Sequence, residues 1–236
     1  RHENGTREPE LYKDPFIYFG SYFKNTKVVA VDEFDVLVVI DSNTGQFSVG
    51  GEKLGEGLGA AQPNYKYDSK YIKSDDSGVS PTKILNWLKG VVEEVVEPLN
   101  GQAPERNGQA VTAIIKSKNL HIDLVPAGVF ENINNKTIFY NIPRGDKKGG
   151  WVVTAPRQDI DRLNGVAQGK RNFRNVVRIA KRVKDTHNFT VSSFAIETSI
   201  VDYGMNAPWA GDITGDLIGA LTDLAIKFRN GVIRDP

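Results

Sequence analysis

The fold is decided by the segment Val31-Asp32-Glu33-Phe34-Asp35-Val36-Leu37-Val38-Val39-Ile40, which is rich in Val and Ile but carries acids at its start. This composition predicts a β-strand, or a strand pair, across residues 28–40. Side chains alternate along a strand, so Glu33 and Asp35 share one face. Two carboxylates on one face repel each other unless a cation lies between them. The segment therefore predicts a metal site or, as the structural alternative, an edge strand kept soluble by its acids.

Two further features favour the metal site. Asp123 lies in the apolar run Leu120-His121-Ile122-Asp123-Leu124-Val125, on the face opposite to the leucines. If this strand neighbours the first, Asp123 joins Glu33 and Asp35, and three carboxylates with phosphate oxygens suit two Mg²⁺ or Mn²⁺ ions. Upstream, Gly20-Ser21 predicts a turn where backbone amides approach a phosphate closely and a hydroxyl is available. We therefore expect Glu33, Asp35 and Asp123 to be metal ligands and catalytic acids.

Composition bounds the class of protein. The chain has 236 residues, 39% hydrophobic and 25% charged, with a net charge of +1 and no cysteine. Disulfides and thiolate zinc sites are excluded, a cytoplasmic location is expected, and no apolar stretch or signal peptide indicates a membrane partner. Any nucleic-acid contact would need a local basic patch. The chain lacks an initiator Met and stops at Asp235-Pro236, so we expect a fragment truncated at its C-terminus.

The pattern changes from mixed to helical along the chain, which predicts an α+β fold with two domains, 1–150 and 151–236. In the first, Ser80 and Pro81 predict a helix start, and residues 110–115 and 120–125 a strand pair. Short edge strands are expected at 139–142 and 151–153, and loops at 46–76 and 100–108. In the second, helical periodicity covers four stretches, at 159–164, 172–184, 192–203 and 214–230.

The motifs occur in the order of a known family. Gly20-Ser21-Tyr22-Phe23 followed by Glu33-Phe34-Asp35-Val36 resembles the signature of the cyclic GMP-AMP synthases. Residues 80–96 and 110–123 resemble the helix and the strand pair that follow it, and Ser193-Phe194-Ala195-Ile196-Glu197 resembles the helical-lobe signature. The chain is thus similar to the cGAS/DncV-like nucleotidyltransferases, which are related to oligoadenylate synthetases. The resemblance implies a polymerase-β-like core, a twisted mixed sheet flanked by helices, with a C-terminal helical lobe.

The resemblance also implies nucleotide-binding residues. Gly20 and Ser21 would hold the triphosphate from one side, Lys181 and Ser193 from the helical lobe, and Phe194 would stack on a base. Each lobe residue has an alternative interpretation: Lys181 as part of a solvated cationic helix face, Ser193 as a helix N-cap, and Phe194 as a core residue. Arg174, Arg178 and Lys181 share one helix face at i, i+4 and i+7.

The chain departs from the vertebrate synthase in two respects. It has no cysteine and only His2, His121 and His187, so the zinc ribbon that supports DNA binding there is absent and no zinc is expected. Glu197 stands where that synthase has a lysine, so phosphate contacts differ there.

The expected function is template-independent nucleotidyl transfer. Nucleoside triphosphates such as ATP and GTP would react with release of pyrophosphate to give cyclic di- or oligonucleotide second messengers, in innate immune or anti-phage signalling. Two alternatives stay open: a non-catalytic nucleotide- or nucleic-acid-sensing protein of the same fold, and a nucleotidyltransferase that modifies RNA ends or proteins. The activator is not specified by the sequence.

Overall fold

The computed structural model describes residues 8–28, 33–41, 69–75, 78–131, 138–145 and 150–232. The chain forms two compact units, the first made of residues 1–20 and 32–156, the second of residues 21–31 and 157–236. The chain thus leaves the first unit directly after Gly20 and returns to it at the segment that carries Glu33. The sequence-based division at 150/151 placed residues 21–31 in the first domain, whereas in the structure they belong to the second unit.

The first unit is built on one seven-stranded sheet in the order β1-β2-β5-β4-β3, with β6 paired to β5 and β7 to β6. The pairing of β2 with β5 is parallel, and the other pairings are antiparallel. The strands are β1 Leu11–Phe19, β2 Glu33–Ile40, β3 Gln102–Asn107, β4 Ala110–Ile115, β5 Leu120–Glu131, β6 Ile138–Pro143 and β7 Trp151–Thr154.

The helices are α1 Gly20–Phe23, α2 Pro81–Val96, α3 Pro156–Gly169, α4 Phe173–Thr186, α5 Ser193–Asn206 and α6 Ile213–Arg229. The predicted start of α2 is confirmed: Ser80 is its N-cap, its hydroxyl accepts a hydrogen bond from the Lys83 amide, and Pro81 occupies the first turn. Proline is tolerated there because the first amides of a helix have no intrahelical acceptor. None of the described helices has the length and apolar character needed to cross a bilayer.

Each face of the sheet has its own apolar cluster. One cluster packs α2 against the sheet through Leu85, Leu88, Val92 and Val96, which meet Val38, Val111 and Ala113. The other contains Leu37, Val39, Val125 and Ala127, together with Tyr140 and Ile142. Since side chains alternate, Glu33, Asp35 and Asp123 belong to the face of the second cluster. Burial of the apolar half of β2 and β5 therefore fixes where their acids point.

The strand pair β4–β5 and the edge strand β7 confirm the expectations for those segments. The segment 139–142 forms a strand as predicted, but β6 is not an edge strand, because it pairs with both β5 and β7. The loop expected at 100–108 is wrong, because residues 102–107 form β3 at the edge of the sheet. Its sequence, Gln-Ala-Pro-Glu-Arg-Asn, is polar because an edge strand faces solvent, and Pro104 is tolerated because an edge strand need not donate every amide. Most of the loop expected at 46–76 lies outside the described residues, as do residues 29–32 of the predicted strand.

The second unit is helical, as predicted. Its buried core is formed by apolar residues of α3 to α6: Leu163, Val166, Phe173, Val176, Val177, Ile196, Ile200, Ala220 and Leu224. Trp209 packs against Phe173 and donates its indole N–H to the Arg171 carbonyl at 2.7 Å, which satisfies the polar end of a large apolar ring.

Candidate active site

Three carboxylates converge on the sheet of the first unit. The parallel register of β2 and β5 places Asp35 directly beside Asp123, and Glu33 beside His121. Paired residues of neighbouring strands point to the same face, so all three acids lie together. Glu33, Asp35 and Asp123 each offer an oxygen, and these oxygens lie within 4.8 Å of one another. His121 shares this face of the sheet but is exposed at its end.

Asp123 is held in place by a hydroxyl group. Thr112 on β4 is its antiparallel register partner, and the Thr112 hydroxyl donates to Asp123 Oδ1 at 2.6 Å. A carboxylate has two oxygens with several lone pairs, so this bond leaves acceptor capacity for a cation. Thr112 therefore orients the Asp123 carboxylate and leaves lone pairs of its oxygens available to a cation.

Gly20 is required by the position of Asp35. Its φ is +75°, a conformation that side-chain-bearing residues rarely adopt, and a Cβ there would lie 1.8 Å from Asp35 Oδ2. The sequence analysis attributed this glycine to close approach of a phosphate. The structure supplies a further reason, because only glycine leaves room for the Asp35 carboxylate.

Ser193 and Phe194 lie at the start of α5 in the second unit. The N-cap is Ser192, whose hydroxyl accepts from the Ala195 amide at 3.0 Å, so the alternative of Ser193 as the cap is wrong. The Ser193 hydroxyl accepts instead from Lys184 Nζ at 3.3 Å. Phe194 is 51% exposed, which overturns the alternative of a core residue. Its ring lies 5.4 Å from Lys24 Nζ, within cation–π range.

Lys181 is buried, with 5% of its surface exposed, so the alternative of a solvated cationic face is wrong for this residue. Its ammonium pairs with Glu197 Oε2 at 2.8 Å and donates to the Thr26 hydroxyl at 3.0 Å. Thr26 in turn donates to Glu197 Oε2 at 2.8 Å, and Lys24 pairs with Glu197 Oε1 at 2.6 Å. One buried carboxylate thus serves two lysines and a hydroxyl.

The other two members of the predicted basic face also contact the segment after Ser21. Arg174 Nε donates to the Lys24 carbonyl at 3.3 Å, and an Arg178 guanidinium nitrogen donates to the Asn25 carbonyl at 2.8 Å. The i, i+4, i+7 spacing of Arg174, Arg178 and Lys181 on α4 was predicted correctly. These three side chains bind groups of residues 24–26 of the same chain.

Two acids of the second unit have shifted pKa values. Burial by itself would raise the pKa of Glu197, but the charges and hydrogen bonds of Lys24 and Lys181 outweigh it and hold the pKa below its ordinary value. Burial raises the pKa of Asp159, an effect that nearby Lys24 and Arg162 oppose. Glu197 is therefore ionised at neutral pH despite being buried.

Sequence comparison finds a nucleotidyltransferase domain and related synthases similar to this chain. Residues 22–138 match the model of the Mab-21 protein nucleotidyltransferase domain. A probable cyclic nucleotide synthase of Bacillus cereus strain VD146 is 24% identical over 225 residues, covering 94% of this chain and 66% of that protein. A cyclic GMP-AMP synthase-like protein of Drosophila melanogaster is 21% identical over 250 residues, covering 89% of this chain and 67% of that protein. The predicted resemblance to the cGAS/DncV-like nucleotidyltransferases is thereby confirmed.

Solved structures confirm the fold of this nucleotidyltransferase chain. The CdnE cyclic dinucleotide synthase of Elizabethkingia meningoseptica, solved with GTP and Apcpp, has a TM-score of 0.59 at 18% identity, covering 92% of this chain and 71% of that one. Vibrio cholerae DncV in its apo form has a TM-score of 0.57 at 14% identity, and the match covers 90% of this chain and 51% of that one. The predicted polymerase-β-like α+β class is thereby confirmed. The chain spans about two thirds of the curated relatives and from half to 72% of the solved ones.

The donor set of the candidate site, Glu33, Asp35 and Asp123, fits a hard divalent cation. It consists of carboxylate oxygens, the ligands that Mg²⁺ and Mn²⁺ prefer, and it offers no sulfur because the chain has no cysteine. Three carboxylates this close repel one another in the absence of a cation. The sequence-predicted acids are thus brought together in a form that suits the predicted metal.

Sequence reasoning missed Thr112, Lys24, Thr26 and Lys184. Thr112 could have been found by writing β4 opposite β5, since it falls directly across from Asp123. Lys184 follows Lys181 by one helical turn, and only the structure distinguishes the buried lysine from the one beside Ser193. Lys24 and Thr26 carry no sequence signal, because their partner Glu197 is more than 170 residues away.

Proposed function

We propose that this chain is the catalytic part of a template-independent nucleotidyltransferase that joins nucleoside triphosphates into cyclic di- or oligonucleotides. The observation that carries the proposal is the convergence of Glu33, Asp35 and Asp123 within 4.8 Å on adjacent strands of a nucleotidyltransferase domain. A purely structural sheet gains nothing from three mutually repelling acids at one point.

Glu33, Asp35 and Asp123 would hold two Mg²⁺ or Mn²⁺ ions. When bound there, such ions would favour ionisation of the attacking ribose hydroxyl and would neutralise charge on the α-phosphate and on leaving pyrophosphate. The Asp35 carboxylate fits because Gly20 has no Cβ, and the Asp123 carboxylate is oriented by the hydrogen bond from Thr112. Both contacts preorganise the acids before substrate binds, which is how a site of this kind lowers a reaction barrier.

Further residues would bind the nucleotide. Gly20 and Ser21 hold the triphosphate, Ser193 contributes a hydroxyl, and the exposed ring of Phe194 stacks on a base. The position of Lys184 beside Ser193 supports a phosphate contact there, because it adds an ammonium to the N-terminus of α5. The family resemblance also assigns the triphosphate to Lys181. That role competes with the buried position of Lys181, because its ammonium already donates to Glu197 and Thr26 and only 5% of the residue is exposed.

The names of related proteins support the class of product and substrate. The relatives include a probable cyclic nucleotide synthase and a cyclic GMP-AMP synthase-like protein, and solved neighbours contain GTP, Apcpp and Upnpp. We therefore propose ATP and GTP as substrates and a cytoplasmic second messenger of immune or anti-phage defence as the product. Any activating nucleic acid would bind a local basic patch, because the net charge is only +1.

The direct test is product formation from all four labelled nucleoside triphosphates with Mg²⁺, resolved by chromatography. Asp35→Asn keeps the size of the side chain but removes its charge, and Glu94→Gln makes the same change on the exposed face of α2 as a matched control. The wild type and Glu94→Gln should form the same product, while Asp35→Asn should lose at least about a hundredfold in rate. Equal product from all three would show that the metal assignment is wrong.

Calorimetry with a non-hydrolysable triphosphate separates the remaining alternatives. A catalytic site that binds its substrate through metal should require Mg²⁺ for tight binding. Tight binding without metal and without any product would indicate that the chain is a non-catalytic nucleotide sensor of the same fold, and not an enzyme. If the label is transferred to added RNA or protein, and small products are not formed, the chain is a nucleotidyltransferase that modifies RNA ends or proteins.

A further inference from the structure

Lys24, Thr26, Lys181 and Glu197 form a cluster of polar side chains inside the second unit, called here the buried ion cluster. Their exposed fractions are 7%, 0%, 5% and 4%. Both oxygens of Glu197 are used, Oε1 by Lys24 and Oε2 by Lys181 and Thr26, at 2.6 to 2.8 Å. Charges this deep are stable only when their partners surround them, so removing one partner leaves an uncompensated buried charge.

The buried ion cluster fixes the chain immediately after Ser21. The Thr26 amide donates to the Ser21 carbonyl at 2.9 Å, and the Asn25 amide donates to the Tyr22 carbonyl at 2.9 Å. The Thr26 side chain is held from both sides, since it accepts from Lys181 and donates to Glu197. A continuous path of hydrogen bonds therefore runs from Glu197 through Thr26 to Ser21.

Arg174 and Arg178 strengthen the same attachment by binding the carbonyls of Lys24 and Asn25 from α4. Asn25 has a φ of +55°, a conformation that asparagine adopts more readily than most residues and that suits a tight turn. A turn of this kind, held by several charged donors, has little freedom to move. Residues 21–26 consequently behave as part of the helical unit.

We propose that Glu197 is a positioning residue for the nucleotide site, acting through Thr26 on Ser21, and that Lys181 is its buried counter-ion and not a ligand of the triphosphate. The proposal rests on the proposed function to the extent that Ser21 binds nucleotide. A lysine in place of Glu197 would add a third buried cation and leave Lys24 and Lys181 without a counter-charge.

The anchoring step is tested without nucleotide, by amide hydrogen exchange at Thr26 followed by NMR. Glu197→Gln keeps the shape of the side chain, and Lys181→Met keeps the length while removing the ammonium. Both should accelerate exchange of the Thr26 amide at least about tenfold, because its bond to Ser21 loses support. Arg182→Met removes a charge from the exposed side of the same helix and should leave the rate unchanged. Unchanged exchange in Glu197→Gln would overturn the proposal.

The positioning step is tested by calorimetry with a non-hydrolysable triphosphate in Mg²⁺. Ser21→Ala and Lys181→Met should each weaken binding about tenfold, and the double variant should be less than about twofold weaker than Ser21→Ala alone, because both act through one contact. A direct bond from Lys181 to phosphate would instead make the two losses multiply, which would overturn the proposal.

The same data separate this inference from the proposed function. If the wild type fails to bind any triphosphate with Mg²⁺, the proposed function and the positioning role of Glu197 are both wrong. The exchange rates at Thr26 then still decide whether the buried ion cluster anchors Ser21. If binding is normal but the losses multiply, the proposed function stands and Lys181 is a phosphate ligand.

Discussion

A Cβ atom added to Gly20 would lie 1.8 Å from Oδ2 of Asp35, in a backbone conformation with a φ of +75°. Turning the carboxylate alone would not relieve the clash, because Asp35 Cγ and Cβ would also lie only 2.6 and 2.9 Å from the added atom. The conformation of Asp35, one of the three acids of the candidate metal site, therefore depends on a glycine at position 20.

Gly20→Ala should abolish metal-dependent activity by displacing the Asp35 carboxylate from the other two acids. Gly90→Ala is the matched control, because Gly90 lies on the exposed face of α2 and its added Cβ meets open space. It should retain activity and stabilise the protein by about 0.5–1 kcal/mol, since alanine favours the helix. Initial rates and thermal melting measure both variants. Full activity in Gly20→Ala would show that Asp35 tolerates displacement.

Thr112→Val should weaken Mn²⁺ binding about tenfold or more, as removal of a hydrogen bond to a metal ligand typically does. Valine has the shape of threonine but lacks the hydroxyl that orients Asp123 Oδ1. Thr112→Ser keeps the hydroxyl and should bind Mn²⁺ nearly as the wild type does. Titration of Mn²⁺ followed by electron paramagnetic resonance checks this. Equal weakening in both variants would indicate a packing effect and not an orienting bond.

The sheet and its acids could be predicted because their signals are local. The alternation of Glu33 and Asp35 on an apolar strand, and the matching run around Asp123, predict which face of its strand each acid occupies. That the two strands are neighbours was a condition of the prediction, and the structure supplies it. Strand β3 could not be predicted in the same way, because an edge strand exposed to solvent has no apolar periodicity. Its polar residues are indistinguishable from those of a loop until β4 supplies the hydrogen bonds.

The buried position of Lys181 could not be predicted for a different reason. Helical spacing places Lys181 on one face with Arg174 and Arg178, but spacing says nothing about what covers that face. The covering segment begins directly after Gly20, far away in sequence, and contributes Lys24 and Thr26. Only the fold shows that a carboxylate lies between the two lysines, which turns a predicted surface cation into an internal one.

The stability of the second unit should depend on pH through Glu197. Burial alone would raise the pKa of this carboxyl, but Lys24 and Lys181 lower it below its ordinary value in the folded state. A lowered pKa contributes stability above the unfolded value, about pH 4.3, and the contribution is lost as the pH falls through the folded value. Protonated Glu197 then resembles glutamine.

Glu197→Gln should therefore be less stable than the wild type by about 3–5 kcal/mol at neutral pH, with the difference shrinking below about pH 4. Urea unfolding followed by circular dichroism across this range measures it. Glu93→Gln, an exposed change on α2, should show no such convergence. A difference that stays constant down to acid pH would mean that packing, and not charge, explains the loss.

Phe194 provides a test of base recognition that is independent of the metal site. Its ring is 51% exposed at the start of α5 and lies 5.4 Å from the ammonium of Lys24. Phe194→Leu keeps apolar volume but removes the flat π-face, so it should weaken binding of a non-hydrolysable nucleoside triphosphate by about 1–3 kcal/mol. Phe194→Tyr should bind normally, because the ring is retained.

The decisive comparison for Phe194 uses inorganic tripolyphosphate, which has the phosphates but no base. Its affinity should be the same for the wild type and Phe194→Leu, since stacking contributes nothing to it. Phe189→Leu is the matched control, because Phe189 is 56% exposed in the same unit and has no assigned nucleotide contact. Calorimetry measures the affinity of the wild type and of each variant for both ligands. If Phe194→Leu weakens tripolyphosphate as much as the nucleoside triphosphate, the ring supports the phosphate contacts at the N-terminus of α5 and does not stack on a base.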